Sequence, residues 1–235
     1  MKILAVDTSA SVASVAVMDD GVLLGEYSIN NKKTHSQKLL PMIDELLKNL
    51  DLSVKDIDYF AASSGPGSFT GLRIGITTIK TLAYSVNKQV IAVPTLDALA
   101  NNVAPSEALV CPIMDARNSQ VYTALYTAES GMIKNITEYM GIHITELCNI
   151  LNGKNKRVVL LGDGVAIHRA FLKENLTIPF DFAPASSILQ RSASVAEVAL
   201  QMLVEKRQQP SFDMVPFYLR KSQAERMLEA ENKKG

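Results

Sequence analysis

Short apolar runs alternate with helical repeats along the chain, and this pattern predicts an α/β fold. The first half opens with apolar runs at Ile3–Val6, Val12–Met18 and Leu23–Tyr27, and Asp20-Gly21 separates the last two. An Asp-Gly pair between two apolar runs is a strong hairpin signal. The sequence therefore predicts a three-stranded antiparallel meander at its start.

A helix is predicted next, because apolar residues recur three and four positions apart from about Ser36 to Leu50. Pro41 falls in this range, and we expect it either near the first turn or at a kink. The other elements predicted for this half are, in order, a strand, a helix, a strand and a short helix: Asp58–Ser63, Thr70–Asn87, Val90–Val93 and Pro94–Val103.

A second set of elements follows Ala104–Glu107, which we predict as a boundary between two lobes. Its predicted strands and helices are Ala108–Met114, Gln120–Tyr126, Met132–Met140, Arg157–Leu161, Val165–Asn175 and Ser192–Gln208. Each half is a meander followed by alternating helices and strands, so we predict two α/β lobes, residues 1–104 and 105–212, with a cleft between them. In the tail, residues 213–235, we predict a strand-like Val215–Leu219 and a helix-prone Ser222–Asn232, and we expect the tail to pack back onto the first lobe.

Composition limits the partners of the protein. Lysine plus arginine equals aspartate plus glutamate at 24 each, so no global basic field attracts nucleic acid. The two cysteines, Cys111 and Cys148, lie among apolar neighbours and are predicted to be free buried thiols. No segment approaches the ~20 apolar residues of a membrane helix, and we predict a cytoplasmic protein without membrane association.

The strongest local signal is the glycine-rich stretch Ser64–Gly75. A glycine-rich loop that enters a helix presents free backbone N–H groups at the positive end of the helix dipole, which is an anion site. It is not a Walker loop, because no Gly-Lys-Ser/Thr follows. The alternative is a tight turn that needs glycine for positive φ.

Gly71 and Gly75 share one face of the helix predicted there, with Thr78 and Leu82 continuing that face. Each glycine lowers helix stability by ~1 kcal/mol relative to alanine, which suggests that a neighbouring backbone comes close. Two partners fit: the other helix of the same lobe, or a helix of another subunit.

Other candidate chemistry is sparse. Asp7, at the end of the first strand, could hold a metal–phosphate group or cap a turn. His35, His143 and His168 have no metal-ligand spacing, and we predict surface or capping roles for them. No serine lies in a Gly-x-Ser-x-Gly elbow, so the sequence assigns no catalytic residue and no metal.

Four segments together resemble the TsaB (YeaZ) family: Ile3–Ser9, Gly65–Gly75, Val93–Leu99 and Met114–Arg117. The resemblance covers nearly the whole first lobe, and Pro216–Arg220 is also similar to the family. It implies the two-lobed actin/sugar-kinase/Hsp70-like (ribonuclease H-like) fold. It also implies a non-catalytic subunit that supports a TsaD-type transferase, which transfers a threonylcarbamoyl group to N6 of adenosine 37 of tRNA.

The chain departs from the TsaD pattern at two places. Thr95 and Leu99 stand where the resemblance implies a metal-binding histidine pair, and Ala116-Arg117 replaces a Gly-Gly pair of a phosphate loop. Gly162 and Gly164 remain at a third glycine-rich position. The resemblance therefore implies no cofactor on the isolated chain, with ATP and metal on partner subunits.

The family resemblance also implies partners. It predicts a heterodimer with the TsaD-type subunit through the helices Ser36–Leu50 and Thr70–Asn87, a homodimer when the chain is alone, a TsaE-type ATPase in the assembly, and contact with tRNA only through the complex. The predicted interface residues are Leu39, Ile43, Leu46, Thr70, Gly71, Ile74, Gly75, Thr78 and Leu82. On this hypothesis Gly75→Leu weakens association without unfolding the monomer. The alternatives are a free-standing ATPase or phosphotransferase of the same fold and a metalloprotease.

Overall fold

The first half of the chain forms a five-stranded mixed sheet. The computed structural model describes residues 1–31, 34–103, 107–129 and 132–220. The strands are β1 (Lys2–Asp7), β2 (Ala13–Asp19), β3 (Val22–Ile29), β4 (Tyr59–Gly65) and β5 (Gln89–Pro94). Their order is β3-β2-β1-β4-β5, with the first three antiparallel and β1, β4 and β5 parallel. The predicted meander is confirmed.

Three helices belong to this half: α1 (His35–Asn49), α2 (Phe69–Ser85) and α3 (Thr95–Ala100). The apolar faces of α1 and α2 pack with the sheet into one core, in which Leu39, Ile43 and Ile79 are almost fully buried. Pro41 lies inside α1, which continues past it to Asn49. The helical spacing therefore predicted α1 correctly, but Leu39 and Ile43, which were predicted at a subunit interface, are almost fully buried in this core.

The second half repeats the strand order of the first. Its elements are β6 (Leu109–Asp115), β7 (Gln120–Thr123), β8 (Tyr126–Glu129), β9 (Met132–Asn135), β10 (Met140–His143), α4 (Ile144–Asn152), β11 (Val158–Leu161), α5 (Asp163–Asn175), β12 (Phe180–Phe182) and α6 (Ser192–Val204). The order β10-β7-β6-β11-β12 has the same sequence of antiparallel and parallel pairings as the first sheet, and the β8–β9 hairpin is added to it.

Several details of the predicted second half are wrong. The predicted strand Gln120–Tyr126 is interrupted, since the Leu125 N–H donates to Thr137 Oγ1 (2.9 Å) instead of to β6. The predicted strand Met132–Met140 likewise divides into β9 and β10. Helix α4 and strand β12 were not predicted. Val215–Leu219 is not a strand, because its described contact with a sheet is a single backbone bond and not a ladder.

Helix α6 comes late in the sequence but packs on the first sheet. Val195, Ala199 and Met202 form a core with Ile3 and other residues of the first sheet, on the face opposite α1 and α2. The predicted division assigns α6 to residues 105–212, whereas the structure places it against the first lobe. The exact lobe bounds stay a prediction, because residues 104–106 lie outside the described residues.

Residues 209–220, which we call the C-terminal strap, also return to the first half. Gln209 exchanges two backbone hydrogen bonds of 2.9 Å with Val90 of β5. Met214 is fully buried in the core of the first sheet, and Lys80 Nζ donates to the carbonyl oxygens of Phe212 (3.0 Å) and Met214 (2.9 Å). The predicted helix-prone stretch Ser222–Asn232 lies outside the described residues.

The predicted thiols agree with the structure, as Cys111 and Cys148 are both buried and free. None of the helices in the described ranges is long and apolar enough to cross a bilayer.

Candidate functional site

The first candidate region lies where β1 and β4 end. Asp7, the last residue of β1, is buried and accepts hydrogen bonds from the Ser9 N–H (2.8 Å), the Ser9 hydroxyl (2.7 Å) and the Ser63 hydroxyl. Burial raises the pKa of Asp7, and the hydrogen bonds from Ser63 and Ser9 oppose the rise. Both carboxylate oxygens are therefore engaged within the chain, which matches the capping alternative.

The glycine-rich loop is packed against the turn that follows β1. The Ser68 N–H donates to the Ser9 carbonyl oxygen (2.7 Å), and a Cβ on Gly67 would lie 2.5 Å from that same oxygen. Gly65 has φ +126°, and a Cβ there would lie 2.1 Å from the Phe217 carbonyl oxygen. The loop needs glycine because protein backbone approaches it closely, and this supports the tight-turn alternative.

The C-terminal strap covers the start of α2. The Phe217 N–H donates to the Ser64 carbonyl oxygen (2.7 Å). The Tyr218 ring stacks on Phe69 with centroids 4.3 Å apart, and Arg73 Nε donates to the Tyr218 hydroxyl (2.9 Å). The strap thus packs against the first two turns of α2, beside the helix end that the sequence offered as an anion site.

The corresponding turn of the second half, between β6 and β7, contains Ala116-Arg117. Arg117, Asn118 and Ser119 have φ values of 63°, 53° and 56°, a conformation that residues other than glycine rarely adopt. The Arg117 N–H donates to Asp115 Oδ1 (2.9 Å), which holds the first residue of this turn. Side chains thus stand where the resemblance implies bare backbone.

Gly162 and Gly164, retained at the end of β11, also face protein backbone. A Cβ on Gly162 would lie 2.2 Å from the Ile113 carbonyl oxygen of β6, and a Cβ on Gly164 would lie 2.9 Å from the same oxygen. Burial raises the pKa of Asp163 between them to about 6; a hydrogen bond from Gln190 opposes the rise and Asp115 adds to it. These glycines permit close packing of α5 on β6.

Thr95 and Leu99, which stand where the resemblance implies a metal-binding histidine pair, are both buried. Thr95 Oγ1 accepts from the Gly65 N–H (3.1 Å), so it supports the glycine-rich loop. Leu99 belongs to a core that joins α3 to strands of the second sheet. Neither side chain offers a metal ligand to the cleft.

The histidines have structural roles. His35 Nε2 bonds the Ala10 carbonyl oxygen (2.8 Å), and His143 caps α4 by accepting from the Thr145 N–H. His168 is buried, so the predicted surface or capping role is wrong for it; burial also lowers its pKa. Within the described ranges, no three His, Cys, Asp or Glu residues are placed to hold a metal ion.

Asp97 joins the two halves. It lies on α3, and its carboxylate accepts from the Tyr126 hydroxyl (2.7 Å) and from the Tyr139 hydroxyl (2.9 Å to each oxygen). Burial raises the pKa of Asp97, and both tyrosine hydrogen bonds oppose the rise. Tyr139 also contacts Phe217 of the strap, with ring centroids 5.9 Å apart. Asp97 lies in the familial segment Val93–Leu99, but no pattern in the sequence indicated that Tyr126 and Tyr139 would bind it.

The second candidate region is an apolar groove between α1 and α2, with a volume of about 680 Å³, which we call the α1–α2 groove. Leu40 projects at its edge and is 55% exposed. Five predicted interface residues line the groove: Leu39, Thr70, Ile74, Thr78 and Leu82. Ile43 lines an adjoining hollow with Leu40 and Leu82.

The remaining predicted interface residues lie elsewhere. Leu46 is in the core. Gly71 and Gly75 are buried and face Thr8. A Cβ on Gly71 would lie 2.0 Å from the Thr8 carbonyl oxygen, and a Cβ on Gly75 would lie 2.4 Å from the Thr8 hydroxyl. The glycine pair therefore packs against the turn after β1, and its predicted place at a subunit interface is wrong. Gly75→Leu is now expected to destabilise the monomer itself.

Sequence reasoning missed five residues that line the groove: Ser36, Leu40, Arg73, Thr77 and Thr81. Ile74, Thr77, Thr78, Thr81 and Leu82 follow one another at helical spacing, so a stripe on α2 was there to be found. Gly71 and Gly75 are buried beside this stripe, whereas Thr78 and Leu82, which continue the predicted glycine face, line the groove.

The fold is that of the two-lobed actin/sugar-kinase/Hsp70-like class. Two solved structures share it at low sequence identity: ethanolamine utilization protein EutJ from Carboxydothermus hydrogenoformans, with a TM-score of 0.52 at 14% identity, and component A of the (R)-2-hydroxyglutaryl-CoA dehydratase of Acidaminococcus fermentans, with 0.51 at 13%. The match to EutJ covers 83% of this chain and 89% of EutJ. The match to component A covers 87% of this chain and 99% of component A.

Proteins of higher sequence similarity identify the family within this fold class. Residues 23–228 match the family model described as "TsaD: tRNA N6-adenosine threonylcarbamoyltransferase". The chain is 32% identical to the tRNA threonylcarbamoyladenosine biosynthesis protein TsaB of Bacillus subtilis over 96% of each chain, and 29% identical to that of Escherichia coli over 97% of this chain and 98% of the relative. The structure of YeaZ from Pseudomonas aeruginosa superposes with a TM-score of 0.78 at 25% identity, covering 93% of this chain and 99% of YeaZ. The chain belongs to the TsaB (YeaZ) family.

Proposed function

We propose that this chain takes part in tRNA threonylcarbamoyladenosine biosynthesis as a non-catalytic subunit that supports a TsaD-type transferase. The names of its relatives and the match to the TsaD family model support the pathway. The observation that carries the proposed role is the contrast between the two candidate regions. The cleft loops are packed against the chain's own backbone and strap, whereas the α1–α2 groove is open and apolar.

The groove has the character of a protein-binding face. Leu40 is 55% exposed, and the half-buried Ile74 and Leu82 extend the apolar surface along α2. Thr77 and Thr81 are exposed on the same helix and add small polar groups between these residues. Apolar residues bordered by polar ones are typical of subunit interfaces. A helix of a TsaD-type subunit fits this description, and a second copy of this chain occupies the groove when that subunit is absent.

The other partners follow from the same proposal. ATP and metal act on the partner subunits, including a TsaE-type ATPase. The chain has equal numbers of acidic and basic residues, so its own field does not favour RNA, and tRNA is reached through the assembled complex.

The test uses one exposed leucine of the groove. Leu40→Glu places a charge in the proposed interface and should weaken binding to the cognate TsaD-type subunit by ~100-fold, because burying an unpaired charge costs ~3 kcal/mol or more. Leu24→Glu is the matched control, since Leu24 is 40% exposed on β3, outside the groove. Analytical ultracentrifugation measures both heterodimer and homodimer formation.

An activity assay completes the test. Threonylcarbamoyl transfer is measured with the TsaD-type subunit, TsaE, ATP, tRNA and threonylcarbamoyl-AMP, with and without this chain. The proposal predicts that transfer depends on this chain and fails with Leu40→Glu. Equal binding by Leu40→Glu and Leu24→Glu would exclude the groove. ATP hydrolysis by the isolated chain, without complex formation, would favour the alternative of a free-standing ATPase or phosphotransferase.

A further inference from the structure

Arg73 gives the α1–α2 groove a fixed positive charge. The other described residues that line the groove carry apolar or hydroxyl side chains. Arg73 is exposed, and an arginine side chain stays protonated at any physiological pH. A helix that packs into this groove must therefore either pair the charge or bury it without a partner, and burying it unpaired is unfavourable.

The C-terminal strap holds Arg73 at the groove. Arg73 Nε donates to the Tyr218 hydroxyl (2.9 Å), and the Tyr218 ring is itself stacked on Phe69. The Arg73 guanidinium carbon lies 5.8 Å from the centre of the Tyr218 ring. The two terminal Nη groups make no hydrogen bond or ion pair with the residues that the structure describes. A guanidinium oriented in this way presents a fork of free donors, which matches a carboxylate.

The surroundings of Arg73 favour a protein carboxylate over a nucleic acid. Lys80, the other basic residue of α2, donates to the carbonyl oxygens of Phe212 (3.0 Å) and Met214 (2.9 Å), so its ammonium is engaged by the strap. A phosphate backbone is bound by several cations along its path. A single free guanidinium beside apolar side chains instead fits one acidic side chain on an otherwise apolar helix.

A second copy of this chain does not supply that acid. In a two-fold dimer the same surface of each copy meets itself, so Arg73 of each copy would enter the same interface. The sequence has no aspartate or glutamate between Asp58 and Asp97, and none of the described residues that line the groove is acidic. Asp44 borders the adjoining hollow, but it is already paired with Lys48 (2.7 Å). A homodimer through the groove therefore gathers positive charge.

We propose that Arg73 selects the occupant of the groove: a partner helix with an apolar face and one aspartate or glutamate that pairs with the Arg73 guanidinium. Tyr218 is the positioning residue for this pair. The same charge disfavours a second copy, so one residue both attracts the correct partner and repels the competing one. This inference rests on the proposed function, since it names the chemistry of the partner helix at the same groove.

Opposite salt dependences test the selection. Analytical ultracentrifugation gives the dissociation constants of the homodimer and of the heterodimer with the cognate TsaD-type subunit. Raising NaCl from about 0.1 M to about 1 M shortens the screening length from about 10 Å to about 3 Å. We expect this rise to weaken the wild-type heterodimer more than that of Arg73→Gln, and to strengthen the wild-type homodimer more than that of Arg73→Gln. In low salt, Arg73→Gln should bind the TsaD-type subunit about tenfold more weakly and itself about threefold more tightly.

Two further variants locate the pair. Each aspartate and glutamate on the surface of the TsaD-type subunit that contacts the groove is changed to lysine, and one of these changes should restore binding to Arg73→Glu. Tyr218→Phe keeps the aromatic stack but removes the acceptor of Arg73 Nε. It should weaken the heterodimer about twofold to threefold in the wild type and have no effect in an Arg73→Gln background, because Tyr218 acts through Arg73.

Lys156→Glu is the control for Arg73→Glu, since Lys156 is exposed in the second half of the chain and the change in total charge is the same. It should leave both dissociation constants unchanged. If Leu40→Glu weakens the heterodimer but both Arg73 variants bind like Lys156→Glu, the groove binds its partner without this pair and the inference is wrong. If Leu40→Glu has no effect either, the proposed function also fails. A loss of tRNA binding by isolated Arg73→Gln, with an unchanged heterodimer, would assign Arg73 to nucleic acid instead.

Discussion

The contact between Gly75 and Thr8 makes a quantitative prediction about stability. A Cβ added to Gly75 would lie 2.4 Å from the Thr8 hydroxyl, whereas the next nearest atoms, Thr8 Cβ and Val6 Cγ2, are 3.7 Å away. Gly75→Ala gains ~1 kcal/mol of helix propensity. The Thr8 hydroxyl must then move, and overpacking of this kind costs ~1–3 kcal/mol. Thr8 also loses its 2.7 Å hydrogen bond to the Gly71 carbonyl oxygen, which costs ~1 kcal/mol more.

The net expectation is that Gly75→Ala lowers the free energy of unfolding by ~1–3 kcal/mol in the wild type. In a Thr8→Ala background only the ordinary 3.7 Å contacts remain, and the same substitution should raise that free energy by up to ~1 kcal/mol. The two substitutions should therefore be coupled by ~2 kcal/mol or more.

Urea unfolding followed by circular dichroism measures all four chains of the cycle. Gly164→Ala, in the other half of the chain, is the control, because a Cβ there would lie 2.9 Å from the Ile113 carbonyl oxygen and not near Thr8. Its cost should be the same with or without the Thr8 hydroxyl. If Gly75→Ala costs the same in both backgrounds, the steric reasoning is refuted.

Two further predictions concern buried carboxylates. Burial raises the pKa of Asp163 to about 6 in the folded chain, so the folded state holds this proton more tightly than the unfolded state. The free energy of unfolding should consequently fall by ~3 kcal/mol as the pH rises from about 4 to 6, and Asp163→Asn should remove that fall in urea titrations across this window; an unchanged pH slope would contradict it. Tyr139→Phe removes a hydroxyl that donates to Asp97 and should cost ~2 kcal/mol in the same assay. Tyr84→Phe is its control, since Tyr84 is 64% exposed, and a loss no larger than the control's would refute the role given to Asp97.

The parts of the fold that depend on local pattern could be predicted from the sequence. The meander of the first half follows from three apolar runs and Asp20-Gly21, and α1 and α2 from helical spacing. Helix α4 carried a signal that was overlooked, since its buried residues Ile144, Leu147 and Leu151 recur at helical spacing. By contrast, the breaks in the strands of the second half depend on partners such as Thr137, which no local pattern specifies.

The candidate site was predicted only in part. The two helices predicted to form a subunit interface border the open groove, but the glycine argument added two buried residues of α2, Gly71 and Gly75, to that interface. Two glycines in a helix indicate that a neighbour comes close, without indicating which neighbour. Here the neighbour is Thr8, more than sixty positions earlier in the chain. A periodicity analysis of Ile74 and the threonines that follow would have favoured the outer face.

The placement of α6 and of the C-terminal strap separates the order of synthesis from the order of folding. The first lobe is made first, yet one face of its sheet is covered by α6, and Met214 completes the core on the other. The Ser14 hydroxyl likewise cannot accept its hydrogen bond from the Ser192 N–H, nor can Val90 pair with Gln209, until those later residues have been made. Contacts of such long sequence separation form slowly and leave apolar surface open until they do. A nascent chain that has only its first lobe outside the ribosome therefore carries an unfinished core, and folding is completed only when the last residues of the strap emerge.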